Sequence, residues 1–323
     1  VSDSSGTGST LGGVINIPVI EGVFGLRLAF LREDDPGYGS TLGRPDLDEP
    51  LAYERDSWRV KALWTPADWA SIEFTHSEWN TDYNILPATQ IIESTGGEMN
   101  HLAPTSDLSL GRFPDGQFKN IFEISWTTLL AKFDLGFAEL TSATGYVDTP
   151  TKEYNLEEEF DLGFGPLSYV ALYNLSAESV TQEFRLVSTS EGPLQWILGT
   201  FYADAESNNQ GIVDIPAFGF KYREGDPVDQ DIWAVFGDVE YELSEQWTVQ
   251  AGLRYQDESR KDTYFQNTAI PGDPLYGPYS FPSDPGTTSE TEFSHMSYVE
   301  TFNCVLTHCA NCSRWIFALC RTS

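Results

Sequence analysis

Apolar and polar residues alternate with a period of two through DIWAVFGDVEYELSEQWTVQAGLRYQDE, residues 231–258. Successive side chains of a β-strand point to opposite faces, so the stretch predicts two strands joined at Leu243-Ser244-Glu245-Gln246. In the first strand Trp233, Val235, Gly237, Val239, Tyr241 and Leu243 share one face. Asp238, Glu240 and Glu242 lie on the other, with Ala234 and Phe236. In the second, Trp247, Val249, Ala251, Leu253 and Tyr255 alternate with Thr248, Gln250, Gly252, Arg254 and Gln256. Each apolar face carries aromatics towards both ends and aliphatic or small residues between them. Eight residues at ~3.3 Å rise, tilted ~45°, span roughly 19 Å, which approaches the ~25 Å apolar band between the aromatic girdles of a transmembrane β-barrel. The polar residues then face a wet lumen. A hairpin of a soluble sandwich alternates in the same way, so this hairpin alone leaves both readings open.

The same period recurs upstream. GSTLGGVINIPV turns at Ile20-Glu21-Gly22 into VFGLRLAFLRED, with Phe24, Leu26, Leu28 and Phe30 on one face and Arg27 on the other. WRVKALWTP sets Trp58, Val60, Ala62 and Trp64 against Arg59 and Lys61, then turns at Pro66-Ala67-Asp68 into WASIEFTHSEW. KNIFEISWTTLL pairs with GFAELTSATGYV, and SVTQEFRLVS with LQWILGTFYAD across Glu191-Gly192-Pro193. Glu183 and Arg185 share one face of that fourth pair, Phe184 and Leu186 the other. The pattern predicts about ten strands in five hairpins. Turns within hairpins are short. Connections between them are long: about residues 33–56, a stretch ending near Gln117, an acidic one holding Glu157, Glu158, Glu159 and Asp161, and a further loop before residue 231. Compact soluble domains connect elements through ~4–6 residues, whereas outer-membrane barrels have short periplasmic turns and long extracellular loops. The predicted fold is therefore all-β: a partial antiparallel transmembrane β-barrel with little or no helix.

Composition sharpens this picture. Across 323 residues there are 18 Lys and Arg against 49 Asp and Glu, a formal net charge of −31. Such acidity argues against a nucleic-acid partner. Aromatics at 14% and strong periodicity argue against disorder. No run approaches the ~18 apolar residues of a membrane-spanning helix, which leaves a barrel as the way to cross a bilayer. All four cysteines (Cys304, Cys309, Cys312 and Cys320) fall near the C-terminus. From about Ser294 the alternation, the turn signals and the acidity stop together. The expected organisation is a partial barrel over residues 1–293 and a non-barrel tail over 294–323, read as a shifted frame or an unrelated junction.

Several phrases carry a resemblance to a known family: VTQEFRLVS followed by LQWILGTFYAD, AVFGDVEYELSEQWTVQAGLRYQDE, GFAELTSATGY, and the opening GGVINIPV…FGLRLAFLREDDPGY. In order and spacing they resemble the barrel of TonB-dependent outer-membrane receptors over most of residues 11–260. Such receptors have about 22 strands, an N-terminal plug and an energy-coupling TonB box. No plug-like stretch precedes Val1 and no TonB box is visible, so the resemblance is to the first half of a receptor barrel. It implies the outer membrane of a Gram-negative cell and uptake of a scarce nutrient such as a ferric siderophore. The implied partners are outer-membrane lipid, the nutrient ligand and, for the full-length protein, the TonB complex. It implies no cofactor.

The lumen-facing candidates are Glu183, Arg185, Asp238, Glu240, Glu242 and Arg254. Either they contact a plug or a passing ligand, or they form a cross-strand ladder of charge pairs that only stabilises the wall. The membrane-interface candidates are Trp58, Trp64, Trp233, Tyr241, Trp247 and Tyr255. The acidic clusters Glu33-Asp34-Asp35, Asp46-Leu47-Asp48-Glu49 and Glu157-Glu158-Glu159 lack the spacing of a Ca²⁺ loop and read as solvated charge. Cys309-Ala-Asn-Cys312 beside His308 has CxxC form without a second matched pair, so no metal site is expected. His76 and His101 are isolated and read as exposed polar residues. There is no G-x-S-x-G, no H-E-x-x-H and no G-x-x-x-x-G-K-[ST], and no enzyme activity is expected. The rival readings are a soluble acidic β-sandwich that binds carbohydrate through its aromatics, and a plug-less outer-membrane porin.

Overall fold

The computed structural model describes residues 7–37, 41–42, 52–84, 89–91, 99–102, 119–161, 166–215, 220–244, 247–266, 284–304 and 316–319. The strands are β1 (Ser9–Ile20), β2 (Phe24–Asp35), β3 (Thr41–Leu42), β4 (Tyr53–Ala67), β5 (Ala70–Asn84), β6 (Thr89–Ile91), β7 (Met99–Leu102) and β8 (Lys119–Asp134). They continue with β9 (Ala138–Asp161), β10 (Pro166–Ser188), β11 (Leu194–Ile215), β12 (Phe220–Gly225), β13 (Val228–Ser244), β14 (Trp247–Gln266), β15 (Asp284–Cys304) and β16 (Ile316–Leu319). No helix occurs among the described residues.

Thirteen strands form one antiparallel sheet. Its order follows the chain, β1-β2-β4-β5-β8-β9-β10-β11, then β12 and β13 end to end along β11, then β14-β15-β16. Strands β3, β7 and β6 make a small separate sheet between β2 and β8 in the chain. All five predicted hairpins are present: β1–β2, β4–β5, β8–β9, β10–β11 and β13–β14. Two of their turns need a left-handed backbone, which glycine supplies without a Cβ clash: Gly22 at φ 73° and Gly136 at φ 85°. The Asp134 carboxylate accepts from Gly136 N (2.7 Å), and Leu135 N donates to Ala138 O (2.8 Å), closing the β8–β9 turn.

Three features depart from the sequence expectation. Residues 148–178, read as a loop between hairpins, continue β9 and β10 as one long ladder up to the pair Asp161–Pro166. β11 likewise extends to Ile215 and pairs with β12, so the stretch before residue 231 is mostly strand. A ladder is held by backbone hydrogen bonds, so a strand can continue where side chains show no regular alternation, and period two does not reveal it. The third departure is β15, which runs beside nearly the whole of β14 and has no predicted counterpart. Phe293 and Met296, of opposite parity, are both about half exposed, so β15 lacks a single apolar face. Residues 294–304 belong to this strand, so the boundary drawn at 293/294 falls inside an element. The short β16 pairs with its end, and residues 305–315 and 320–323 lie outside the described residues.

The sheet is a single layer. No second layer covers either face among the described residues, and the buried apolar residues (Ala70, Ala138, Ile212 and Ala234) are few and mostly small. Large apolar side chains are exposed instead: Leu198 at 53%, Trp64 at 47% and Trp233 at 45%. A sandwich buries such residues between two sheets, so this architecture is a wall and not a sandwich. Strands β1 and β16 are its two edges, each paired on one side only among the described residues.

Register also aligns like charges. On the face that carries the exposed apolar residues, Asp148 lies opposite Glu178, Glu178 opposite Glu206, and Glu206 opposite Asp229. Directly opposed like charges destabilise a sheet by up to about 1 kcal/mol per pair. Glu206→Lys would turn two repulsive pairs into attractive ones, and it should raise stability by roughly 0.5–2 kcal/mol in denaturant unfolding of the lipid-reconstituted protein. An unchanged or lowered midpoint would show that the row is not in this register.

Candidate functional site

The two faces of the wall differ in chemistry, and the lateral register carries the difference from strand to strand. Phe30, Trp58, Trp64, Phe74, Leu129, Phe184, Leu198, Val235, Val239 and Leu253 fall on one face. Trp58, Trp64, Trp233, Tyr241 and Trp247 are exposed on it, and Tyr255 is half-buried with its ring 5.3 Å from that of Trp233. Trp64, Tyr241 and Trp247 stand near the short turns; Trp58, Trp233 and Tyr255 stand further along their strands towards the long connections. Between these tiers lie Leu198, Val235, Val239, Ala251 and Leu253. The carboxylate row from Asp148 to Asp229 comes beyond the second tier. His76, expected as an exposed residue, is half-buried on this face: Nδ1 meets Thr127 Oγ1 (2.8 Å), Nε2 meets Glu78 (3.4 Å), and the ring lies 5.0 Å from Trp58.

The other face collects the remaining candidates. Register puts Arg185, Gly199, Phe236 and Arg254 in one cross-strand row, with Glu183 and Asp238 in the rows on either side. Glu183 and Arg185 form an ion pair along their own strand (3.7 Å). Asp238 accepts from Gln250 Nε2 (2.9 Å), and Arg254 donates from Nε and Nη2 to Gln256 Oε1 (3.3 and 3.1 Å). The Arg254 guanidinium also lies over the rings of Phe236 (5.6 Å) and Phe201 (6.0 Å). Phe236 can lie flat here because its cross-strand neighbour is Gly199, where a Cβ would collide with the ring. Glu240 and Glu242 lie on the same face beside Gln250 and Thr248, Glu242 next to the turn and exposed. Among the described residues these six make no cross-strand ion pair with one another; glutamine amides and aromatic rings serve as neighbours instead. Further from the turns, Arg260 makes a two-pronged contact with Asp262 that holds the Asp262 carboxyl below its ordinary value through hydrogen bonding and charge.

A second cluster on this face lies near β2, β4, β5 and β8. Arg55 pairs with Glu33 (2.8 Å) and sits between the rings of Tyr53 and Trp79. Arg59 donates to Ser77 Oγ (3.0 Å), and Lys61 pairs with Glu73 (2.7 Å). Arg27 and Lys61 are direct cross-strand neighbours of like charge. Beside them a cavity of about 420 Å³ is lined by Arg55, Arg59, Trp79 and Trp126. The signal for this cluster is faint: Trp79 is an aromatic out of phase with Ile72 and Phe74, on the face where polar residues belong. Of the acidic clusters, Glu33-Asp34-Asp35 ends β2, Glu157-Glu158-Glu159 lies in the β9 extension, and Asp46–Glu49 falls outside the described residues, as do His308, Cys309 and Cys312.

A single-layer antiparallel wall, apolar and aromatic on one face and polar on the other, with hairpins in chain order, is the wall of an outer-membrane β-barrel. No family model matches the chain, and no curated protein sequence does. Solved structures match it in fold. The ferric yersiniabactin uptake receptor FyuA from Yersinia pestis aligns at a TM-score of 0.69 and 14% identity, over 95% of this chain and 44% of that one. The ferric-catecholate import receptor Fiu from E. coli K12 in its open form gives 0.63 and 10%, over 93% and 52%. The siderophore receptor PiuA from Acinetobacter baumannii gives 0.60 and 12%, over 92% and 45%. The chain spans about half the length of these structures. It has the fold of a partial barrel of the kind found in these siderophore receptors.

The face assignment is open to a direct check. Ala251 and Gln250 are adjacent in β14 and point to opposite faces. Ala251→Arg should destabilise the lipid-reconstituted protein by roughly 2–4 kcal/mol if the apolar face meets the bilayer near its midplane, and Gln250→Arg by far less. Equal costs in an unfolding titration would mean that the faces are reversed.

Proposed function

We propose that the chain forms part of the wall of a nutrient receptor in the outer membrane of a Gram-negative cell, and that the receptor takes up a scarce ligand such as a ferric siderophore. The observation that carries this reading is the largely apolar face that recurs from β2 to β14, interrupted by His76 on β5 and by Ser142, Thr144 and Gln182 on β9 and β10, with aromatics towards both ends and a polar face behind it. Exposed in water, such a face would be an aggregation surface far larger than monomeric proteins tolerate. Against lipid chains it is matched. Glu183, Arg185, Asp238, Glu240, Glu242 and Arg254 then line the lumen, and Trp58, Trp64, Trp233, Tyr241, Trp247 and Tyr255 meet the headgroup layers.

The uptake part of the reading rests on fold similarity to receptors whose names specify ferric siderophores. In the full-length protein the implied partners are outer-membrane lipid, the ligand and the TonB complex, which supplies energy. Cells carrying the full-length gene should accumulate radioactive iron from at least one of a panel of ferric siderophores, and lose that accumulation when TonB is deleted. Passive entry that survives deletion of TonB and scales with solute size would make the protein a porin instead.

A further inference from the structure

The polar interruptions of the apolar face all fall at one depth and in one sector. His76 on β5, Thr144 on β9, Gln182 on β10 and Thr200 on β11 lie six residues in from the short-turn ends Ala70, Ala138, Ser188 and Leu194. Thr127 on β8 is seven in from Asp134. Register puts all five on the apolar face. At ~3.3 Å rise and ~45° tilt, six residues reach roughly 14 Å above the turns, near the middle of a ~25 Å apolar band. The strands on either side are apolar at this depth: Phe30 on β2 and Leu253 on β14 are six residues in, and Val60 and Val239 are one residue off that depth.

Gln182 is the hub of the sector. It accepts from Thr144 Oγ1 (2.6 Å) and donates to Ser142 Oγ (3.1 Å) and to the Glu183 carbonyl (3.0 Å). These bonds leave the Ser142 hydroxyl proton, the Thr144 oxygen and a second lone pair on the Gln182 carbonyl oxygen unspent. Thr200 is exposed, with no side-chain hydrogen bond among the described residues. Acyl chains can satisfy none of these groups, and polar side chains that face one another inside a membrane hold proteins together. The nearest carboxylates, Glu78, Asp148 and Glu178, stand at least two residues further from the turns than this depth.

The chemistry also selects the partner. Ser142, Thr144, Gln182 and Thr200 carry no charge and offer both donors and acceptors, so the patch is complementary to itself. Two copies inserted from the same side of a bilayer are related by an axis along its normal, which preserves depth. A twofold contact therefore brings this sector against its own counterpart. Leu129, Phe184 and Leu198, large and exposed beside the small hydroxyl residues, supply relief for packing.

We propose that Ser142, Thr144, Gln182 and Thr200 form the centre of a twofold contact between two copies of this protein within the membrane. The proposal rests on the reading that the apolar face meets lipid, and goes beyond it by assigning one sector of that face to protein. The test uses the full-length protein, expressed from its gene as two differently tagged copies. With p-benzoylphenylalanine in place of Thr200, irradiation should give a crosslinked product that carries both tags; in place of Val239 it should not. In liposomes, the dissociation constant read by energy transfer between labelled copies should rise about fivefold or more in Gln182→Leu combined with Thr144→Val. That is the scale of two symmetry-related hydrogen bonds in a membrane. Val239→Thr, which changes polarity at nearly the same depth outside the sector, should leave the constant unaltered, and all variants should keep the β-sheet circular dichroism of the parent.

A protein that stays monomeric at every protein-to-lipid ratio would overturn the proposal. So would crosslinking at position 200 to a different protein only, or an undiminished dimer in the double variant. If Ala251→Arg and Gln250→Arg place the face in lipid and no dimer forms, the contact is wrong and the receptor reading stands. If the dimer forms and uptake proves independent of TonB, the contact stands and the receptor reading falls.

Discussion

Every strand in this wall satisfies its backbone through its lateral neighbours, and that requirement shapes the rest of the molecule. With no helix and no second layer among the described residues, the N–H and C=O groups of the strands find their partners chiefly across the ladder. In hydrocarbon each unpaired group costs several kcal/mol, so a sheet is admissible there only where pairing is continuous. The ladders from β2 to β14 meet that condition. The outer edges of β1 and β16 do not within the described residues, and edges of this kind are tolerated in lipid only when another strand pairs with them.

Because the wall is one layer thick, each side chain meets one environment directly, and packing does little to buffer it. That explains how Leu198, Trp64 and Trp233 remain about half exposed while Ala234, on the other face, is buried beneath larger neighbours. It also gives the carboxylate row from Asp148 to Asp229 a physical meaning. Two charges 4 Å apart repel by about 1 kcal/mol in water but by about 4 kcal/mol at an effective dielectric of 20. Three successive repulsions are bearable only in the first case. The row therefore belongs in water, and the apolar band must end below it, near Tyr202 and Trp233. The aromatic tier and the acidic row mark the same level independently, one by what it prefers and the other by what it cannot afford.

On the polar face the same geometry distributes charge unevenly. Around Arg254 and Asp238, amides and rings surround the charges, and Gly199 and Gly252 leave room for Phe236 and Asp238. Around Arg27, Lys61 and Arg59 the balance is positive, with Arg27 and Lys61 directly opposed. That excess is local, inside a chain of net charge −31.

The alternation within each hairpin was legible in the sequence. Period two is a property of one strand, so the faces of β13 and β14, the grouping of Glu183 with Arg185, and the five short turns follow from neighbouring residues alone. The single apolar face of β13 and of β14 likewise separates a strand from a helix without any structure. What only the tertiary structure decided is everything that depends on which strand lies beside which, and in what register. Asp148, Glu178, Glu206 and Asp229 come from four strands, and nothing local to any one of them places the others opposite. The cavity is of the same kind: Arg55 and Arg59 from β4, Trp79 from β5 and Trp126 from β8 meet only once those strands are paired. The extensions of β9, β10 and β11 escaped the sequence because they are held by their backbone ladder, which leaves no periodic trace in side-chain polarity.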